Sequence, residues 1–134
     1  MSSMSTATVI IILVAISVIA LGSSCSNTIT NPDDVTFPDS AVSFTRHVLP
    51  FVRLSCGVAG CHGDVDPAGG VRLTSYTTIM FDRANLIVPG KPDESLIIQS
   101  LEQRIPHPLD IMSRVNDNQR RGMRTWIAEG ALNN

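Results

Sequence analysis

The seven residues from Cys56 to His62 constrain this chain more than any other stretch of its sequence. They read Cys-Gly-Val-Ala-Gly-Cys-His, so an imidazole directly follows the second of two nearby thiols. Covalent haem attachment requires this combination, because each thiol can add to one haem vinyl group while the imidazole binds the iron. The sequence therefore predicts one covalently attached haem c, with thioether bonds to Cys56 and Cys61 and with His62 as the proximal iron ligand.

The spacing of the two cysteines is wider than usual, since residues 57–60 separate them where two residues are common. On a continuous helix, side chains five positions apart differ by about 500° of rotation and about 7.5 Å of rise, which puts them on nearly opposite faces. The intervening residues must therefore loop outward. Gly57, Ala59 and Gly60 are small enough to allow such a loop.

A zinc-binding or disulfide-stapled exported module is the alternative from a different class of protein. Cys56 and Cys61 are within the spacing that zinc sites tolerate, but zinc needs four ligands. The adjacent Cys61 and His62 side chains do not converge easily, which leaves His47, His107 or carboxylates to complete the set. Structural zinc sites usually consist of paired ligand knuckles, so haem attachment is favoured.

Residues 1–24 are predicted to be a signal segment. Val9 to Leu21 is an apolar run broken only by Ser17, which suits an export signal and falls short of the roughly 20 residues that span a bilayer. The run and the Gly-Ser-Ser-Cys that follows it resemble a bacterial lipoprotein signal, although no Lys or Arg precedes the run and Gly22 stands where leucine is usual. The resemblance implies lipidation of Cys25 and a membrane anchor facing the periplasm or the outside. An uncleaved membrane anchor is the alternative.

The three cysteines of the chain are then all used, one by lipid and two by haem. Residues 25–40 are predicted to be a flexible tether, because they are rich in Ser, Thr, Asn, Asp and Pro and lack apolar periodicity. Residues 41–134 are predicted to form the folded domain. The net charge of −2, without a basic run, excludes a nucleic-acid-binding surface.

Apolar spacing in residues 41–134 predicts an all-α domain. Residues 43–55 have helical spacing but contain Pro50, so a kinked or divided helix is expected. Residues 92–104 are predicted to form a helix that begins with Pro-Asp-Glu. The last helix has the clearest limits, with Asn116 as its N-cap, Gln119 completing a capping box, and Gly130 after its last apolar position.

Five stretches carry a family resemblance. In order they are Ser-Phe to Val-Leu-Pro at 43–50, Gly-Cys-His-Gly at 60–63, Gly-Gly-Val-Arg-Leu with Tyr at 69–76, Val-Pro-Gly-Lys-Pro with Ser-Leu at 88–96, and Trp-Ile with Gly-Ala at 126–131. Over residues 42–131 the chain resembles class I cytochromes c, and more narrowly the small cytochrome c domains of bacterial secreted and membrane-associated proteins. The resemblance implies three or four helices around one haem, with Phe44 and Trp126 as an aromatic pair where the first helix crosses the last.

The resemblance also implies a sixth iron ligand, usually a methionine on the loop before the last helix. Met112 lies there and is the predicted distal ligand. Met123 falls on the core face of the last helix, where packing is the expected role. A proline commonly follows the ligand methionine in these domains, whereas Ser113 follows here, and His107 is the competitor for the sixth position.

Two thioether bonds and two axial ligands leave the iron no open position for a substrate. The predicted function is therefore one-electron transfer by a membrane-anchored carrier that serves other redox proteins and is not an enzyme. A methionine opposite the histidine would raise the reduction potential relative to two histidines. A haem sensor or peroxidase is a further possibility if the sixth ligand is weakly held.

Overall fold

The computed structural model describes residues 28–134, so the predicted signal segment and Cys25 lie outside the described residues. Within residues 28–134 there are four α-helices and no strand, in agreement with the predicted all-α class. The helices are α1 (Leu49–Ser55), α2 (Tyr76–Phe81), α3 (Leu96–Leu101) and α4 (Asp117–Ala128). No helix in this part of the chain has the length and apolarity needed to cross a membrane.

The first helical region is divided, as its proline predicts. A π-helical turn, Phe44–Val48, runs directly into α1, and the side chain of Ser43 caps the turn by accepting a hydrogen bond from the Arg46 N–H. Pro50 stands within the first two positions of α1, where proline is tolerated. The region ends at Ser55, immediately before the cysteine motif.

The helix predicted over residues 92–104 is shorter in the structure. A 3-10 turn, Pro92–Glu94, is separated from α3 by the extended residue Ser95. The buried Ser95 hydroxyl accepts a hydrogen bond from the Val88 N–H (2.8 Å) and donates one to the Lys91 carbonyl (3.0 Å). Ser95 therefore binds the preceding loop, and the helix begins one residue later.

Both ends of α4 confirm the prediction. The Asn116 side chain accepts from the Gln119 N–H (3.0 Å), and the Gln119 side chain accepts from the Asn116 N–H (3.1 Å), which is a complete capping box. At the other end Gly130 has a φ of 103°, and the Ala131 N–H donates to the Trp126 carbonyl (2.9 Å). This left-handed turn satisfies a carbonyl of the last helical turn.

The predicted aromatic pair lies at the centre of the core. The Trp126 ring is fully buried, and its centroid is 5.6 Å from that of Phe44. The Trp126 Nε1–H donates to the Leu132 carbonyl (3.0 Å), so its polar atom is satisfied. The chain segment before α1 is thereby packed onto α4.

Removing the N-cap of α4 is expected to weaken the domain. Asn116→Ala deletes the acceptor for the Gln119 N–H and should lower the free energy of unfolding by about 1 kcal/mol. Denaturant unfolding of the holoprotein measures this loss. Asn133→Ala, an exposed asparagine near the C-terminus, is the matched control and should stay within about 0.5 kcal/mol of wild type; equal losses in the two variants would contradict the prediction.

The folded part of the chain begins before residue 41, where the sequence predicted its start. Val35 and Phe37, inside the predicted tether, are 2% and 3% exposed and belong to the core. The Asn118 side chain accepts from the Phe37 N–H (2.8 Å) and donates to the Phe37 carbonyl (2.9 Å), while the Gln119 side chain donates to the Pro32 carbonyl (2.8 Å). Residues 32–37 are thus bound to α4, because their two apolar side chains find partners that are distant in sequence.

Candidate cofactor site

The cysteine motif begins where α1 ends, and its backbone turns away from the helix axis. The Val52 carbonyl accepts from the N–H groups of Cys56 (2.9 Å) and Gly57 (2.7 Å), which ends the helix. The His62 N–H then donates to the Cys56 carbonyl (3.0 Å), so the intervening residues form a closed loop. Val58 on this loop is 42% exposed. The structure therefore has the outward loop that the wide cysteine spacing predicts.

The loop brings both thiols to one cavity. Cys56 and Cys61 line the same cavity wall and are not joined by a disulfide. Burial, together with the smaller effect of the nearby Cys61, raises the pKa of the Cys56 thiol to about 11. In the folded chain without thioether bonds, Cys56 is therefore a protonated thiol at neutral pH.

His62 is oriented by two hydrogen bonds to the extended segment that follows the motif. Its Nδ1 lies 3.0 Å from the Val71 carbonyl oxygen, and its own carbonyl accepts from the Leu73 N–H (2.8 Å). A carbonyl can only accept, so Nδ1 carries the proton and Nε2 keeps its lone pair. Histidines that bind a metal normally make such a contact with the ring nitrogen that does not bind it, and here the contact leaves Nε2 of His62 free.

An ion pair holds the segment that carries Val71. Arg72 donates from Nε and Nη2 to the two carboxylate oxygens of Asp82, at 2.7 and 2.9 Å, directly after α2. The hydrogen bonds from Arg72 lower the pKa of the Asp82 carboxyl below its ordinary value. The pair therefore connects the residue next to the His62 acceptor with the end of α2.

The Arg72–Asp82 pair should stabilise the domain only where Asp82 is ionised. Because the folded-state pKa is lowered, the stabilisation is present above the unfolded value near 3.8 and is lost as the pH falls through the lower folded value. Asp82→Asn should lower the thermal midpoint at neutral pH by more than it does at a pH below 3.8. Asp39→Asn, at an exposed site, is the control. A deficit of Asp82→Asn that is equal at both pH values would contradict the prediction.

The cavity beside the motif has the size and lining of a cofactor site. Its volume is about 560 Å³, within the range of about 300–1,000 Å³ that is typical of such sites. Most of its wall is apolar. The apolar lining residues include Val71, Leu73, Leu86, Leu96, Ile97, Leu101, Ile105, Ile111 and Val115.

The two candidates for the sixth ligand have different positions. His107 lines the cavity, and its ring centroid is 6.2 Å from that of His62. Met112 is 45% exposed and is not among the residues that line the cavity. The structure therefore places His107, and not Met112, beside the cysteine motif.

Three further polar residues at the cavity were not identified from the sequence. Arg83 and Arg114 line it, and neither makes an ion pair with another residue of the described part of the chain. The Ser55 hydroxyl is buried in the wall without a hydrogen-bond partner. The two arginines stand in loops without a recognisable motif, so only Ser55, next to Cys56, had a position that could have suggested a role.

The side chains around the motif do not form a protein-only metal site of the zinc type. Between residues 28 and 134 there is no group of three or more His, Cys, Asp or Glu side chains that could hold a metal ion. Structural zinc needs four such ligands. The geometry of the described residues thus gives the zinc alternative no support.

Comparison with known proteins agrees with the features of the site. The family model described as Planctomycete cytochrome C matches residues 59–109, a range that includes Cys61, His62 and His107. Over these residues the chain is similar to that cytochrome c family, and such a family implies covalently bound haem c with iron. It does not extend back to Cys56. No curated protein and no solved structure matches the chain.

Proposed function

We propose that this protein is an exported c-type cytochrome that carries single electrons through one haem attached to Cys56 and Cys61. The observation that carries the proposal is the orientation of His62. Its Nδ1 proton is bound by the Val71 carbonyl, which leaves Nε2 available beside the two thiols. A lone histidine near cysteines does not need such an orientation, whereas an axial iron ligand does.

The residues around the cavity fit a haem. The apolar wall suits the faces and edges of the macrocycle, and two thiols on one side suit its two vinyl groups. Arg83 and Arg114 would hold the two propionate carboxylates, since guanidinium groups bind carboxylates in a bidentate manner. The unpartnered Ser55 hydroxyl adds a hydrogen-bond donor at the same wall.

Bound haem would supply an iron that changes between the ferrous and ferric states. Cys56 and Cys61 would hold one edge of the group, while Val71 and Leu73 keep His62 in place beside it. The apolar wall would limit the access of water to the metal and so influence its reduction potential. A haem held in this way by two thioether bonds and an oriented histidine would favour electron transfer over catalysis on a bound substrate.

Mass and redox behaviour of the intact protein test this proposal. When the chain is produced in a host with a haem-attachment system, its denatured mass should exceed the polypeptide mass by one haem. Its visible spectrum should change reversibly on one-electron reduction and reoxidation. A colourless protein with the mass of its amino acids alone would overturn the proposal, and more than one haem per chain would overturn its stoichiometry.

The membrane anchor is part of the same proposal, and Cys25 lies outside the described residues. It is supported by the apolar run that ends in Gly-Ser-Ser-Cys. Cys25→Ala should move the haem-bearing protein from the membrane fraction to the soluble fraction without loss of haem. Unchanged membrane association of this variant would refute lipidation as the anchor.

A further inference from the structure

We infer that His107 is the sixth iron ligand, so that the iron is held between two histidines. This inference depends on the proposed function, because it needs the attached haem. Two imidazoles on opposite sides of one metal ion, each with its nitrogen about 2.0 Å from the metal, have ring centroids about 6 Å apart. The centroids of His62 and His107 are 6.2 Å apart across the cavity. The separation in the folded chain is therefore already that of a bis-histidine centre.

The backbone around His107 is restricted on both sides. Pro106 and Pro108 each fix one φ angle, and His107 itself is limited to extended conformations because a proline follows it. Its side chain is half-buried at the cavity. Little conformational freedom is therefore lost when the imidazole is held in one position.

The methionine predicted for this role is on the outer side of its own turn. The Val115 N–H donates to the Ile111 carbonyl (3.0 Å), so these two residues are one helical turn apart and share a face. Both are buried and line the cavity, whereas Met112 is 45% exposed. Met112 therefore lies on the solvent side of this turn.

The other described methionines do not offer an alternative. Met123 is fully buried in the core, Met80 is partly buried against it, and neither lines the cavity. In the described part of the chain, the lining residues besides the cysteines that can bind iron are therefore the two histidines. These two imidazoles, with ring centroids 6.2 Å apart, are thus the pair available for the two axial positions.

Ligation changes one contact of His107. Its Nδ1 accepts a hydrogen bond of 3.2 Å from the exposed Leu109 N–H. Binding iron through Nε2 puts the proton on Nδ1, so this hydrogen bond is given up. His62, by contrast, already carries its proton on Nδ1. His107 is therefore the ligand that external ligands such as carbon monoxide should displace first.

The experiment compares two alanine variants of the haem-loaded protein with wild type. His107→Ala should convert the ferric haem from low spin to high spin and allow rapid carbon monoxide binding by the ferrous form. Added imidazole should restore the low-spin spectrum. Met112→Ala is the matched control, since it changes a neighbouring loop residue, and it should leave the spin state unchanged.

Wild-type protein gives an independent measurement if a variant fails to fold. Its ferric spectrum should lack the far-red absorption band of thioether ligation, and magnetic circular dichroism should show the near-infrared band of bis-imidazole ligation. A far-red thioether band, or loss of low spin in Met112→Ala alone, would overturn the inference while the proposed function stands. Absence of chain-bound haem in wild type would instead overturn the proposed function.

Discussion

Replacing Cys56 and Cys61 together with alanine is expected to remove all chain-bound haem and most of the cooperative folding. Both thiols line a cavity of about 560 Å³. The wall of this cavity is mostly apolar, so without haem a large apolar surface is left in contact with water. Such a loss of burial weighs heavily on a domain whose whole stability is typically only about 5–15 kcal/mol. Without its haem the chain should therefore collapse into the cavity or remain loosely packed.

Two measurements check this result. Haem staining after denaturing electrophoresis should show no signal for the double variant, and near-ultraviolet circular dichroism should lose the signal of the buried Trp126. Cys25→Ala is the matched control, because it removes the third cysteine of the chain and should keep both signals. Haem that remains bound to the denatured double variant would show that other residues attach it.

The second large effect concerns Gly122 in α4 and Phe37 in the N-terminal segment. A Cβ atom built at Gly122 would overlap the Phe37 side chain, so the ring lies directly on the helix backbone. The same ring makes an edge-to-face contact with Phe51 in α1, at 5.6 Å between centroids. Gly122→Ala should therefore cost about 1–3 kcal/mol by overpacking, and Phe37→Ala about 3–5 kcal/mol by leaving a cavity.

The double variant is the decisive measurement for this contact. In Gly122→Ala with Phe37→Ala, the new methyl group occupies space that the ring has left. The combined loss in the free energy of unfolding should be smaller than the sum of the two single losses by about 1 kcal/mol or more. Ile29→Ala, in the same N-terminal segment and at a side chain that is 37% exposed, should have little effect. Additive losses would mean that residues 32–37 do not pack on α4 in solution.

The features that could be predicted from the sequence are those that depend on neighbouring residues. The capping box of Asn116 and Gln119 needs only the backbone of one helical turn, and the division of the first helix follows from Pro50. The outward loop between Cys56 and Cys61 follows from helix geometry alone. The aromatic pair of Phe44 and Trp126 came from family resemblance, and the structure confirms it.

The packing of residues 32–37 and the late start of α3 could not be predicted, because both depend on contacts that leave no local pattern in the sequence. The tether prediction failed for residues 32–37 because Val35 and Phe37 are isolated in a polar stretch, where they form no periodic pattern. Ser95 shortens a helix through hydrogen bonds to the Val88–Lys91 loop, a contact that no local rule anticipates.

The sequence by itself determined the chemistry of the site, since two thiols and an imidazole at fixed spacing can serve few purposes. Only the tertiary structure decided what surrounds them: the Val71 carbonyl that orients His62, the two arginines at the cavity, and the position of His107 at the cavity near His62 with Met112 on the surface. The physical reason is that covalent reactivity belongs to residue types and their spacing. Orientation and access depend on contacts between segments that are far apart in the chain.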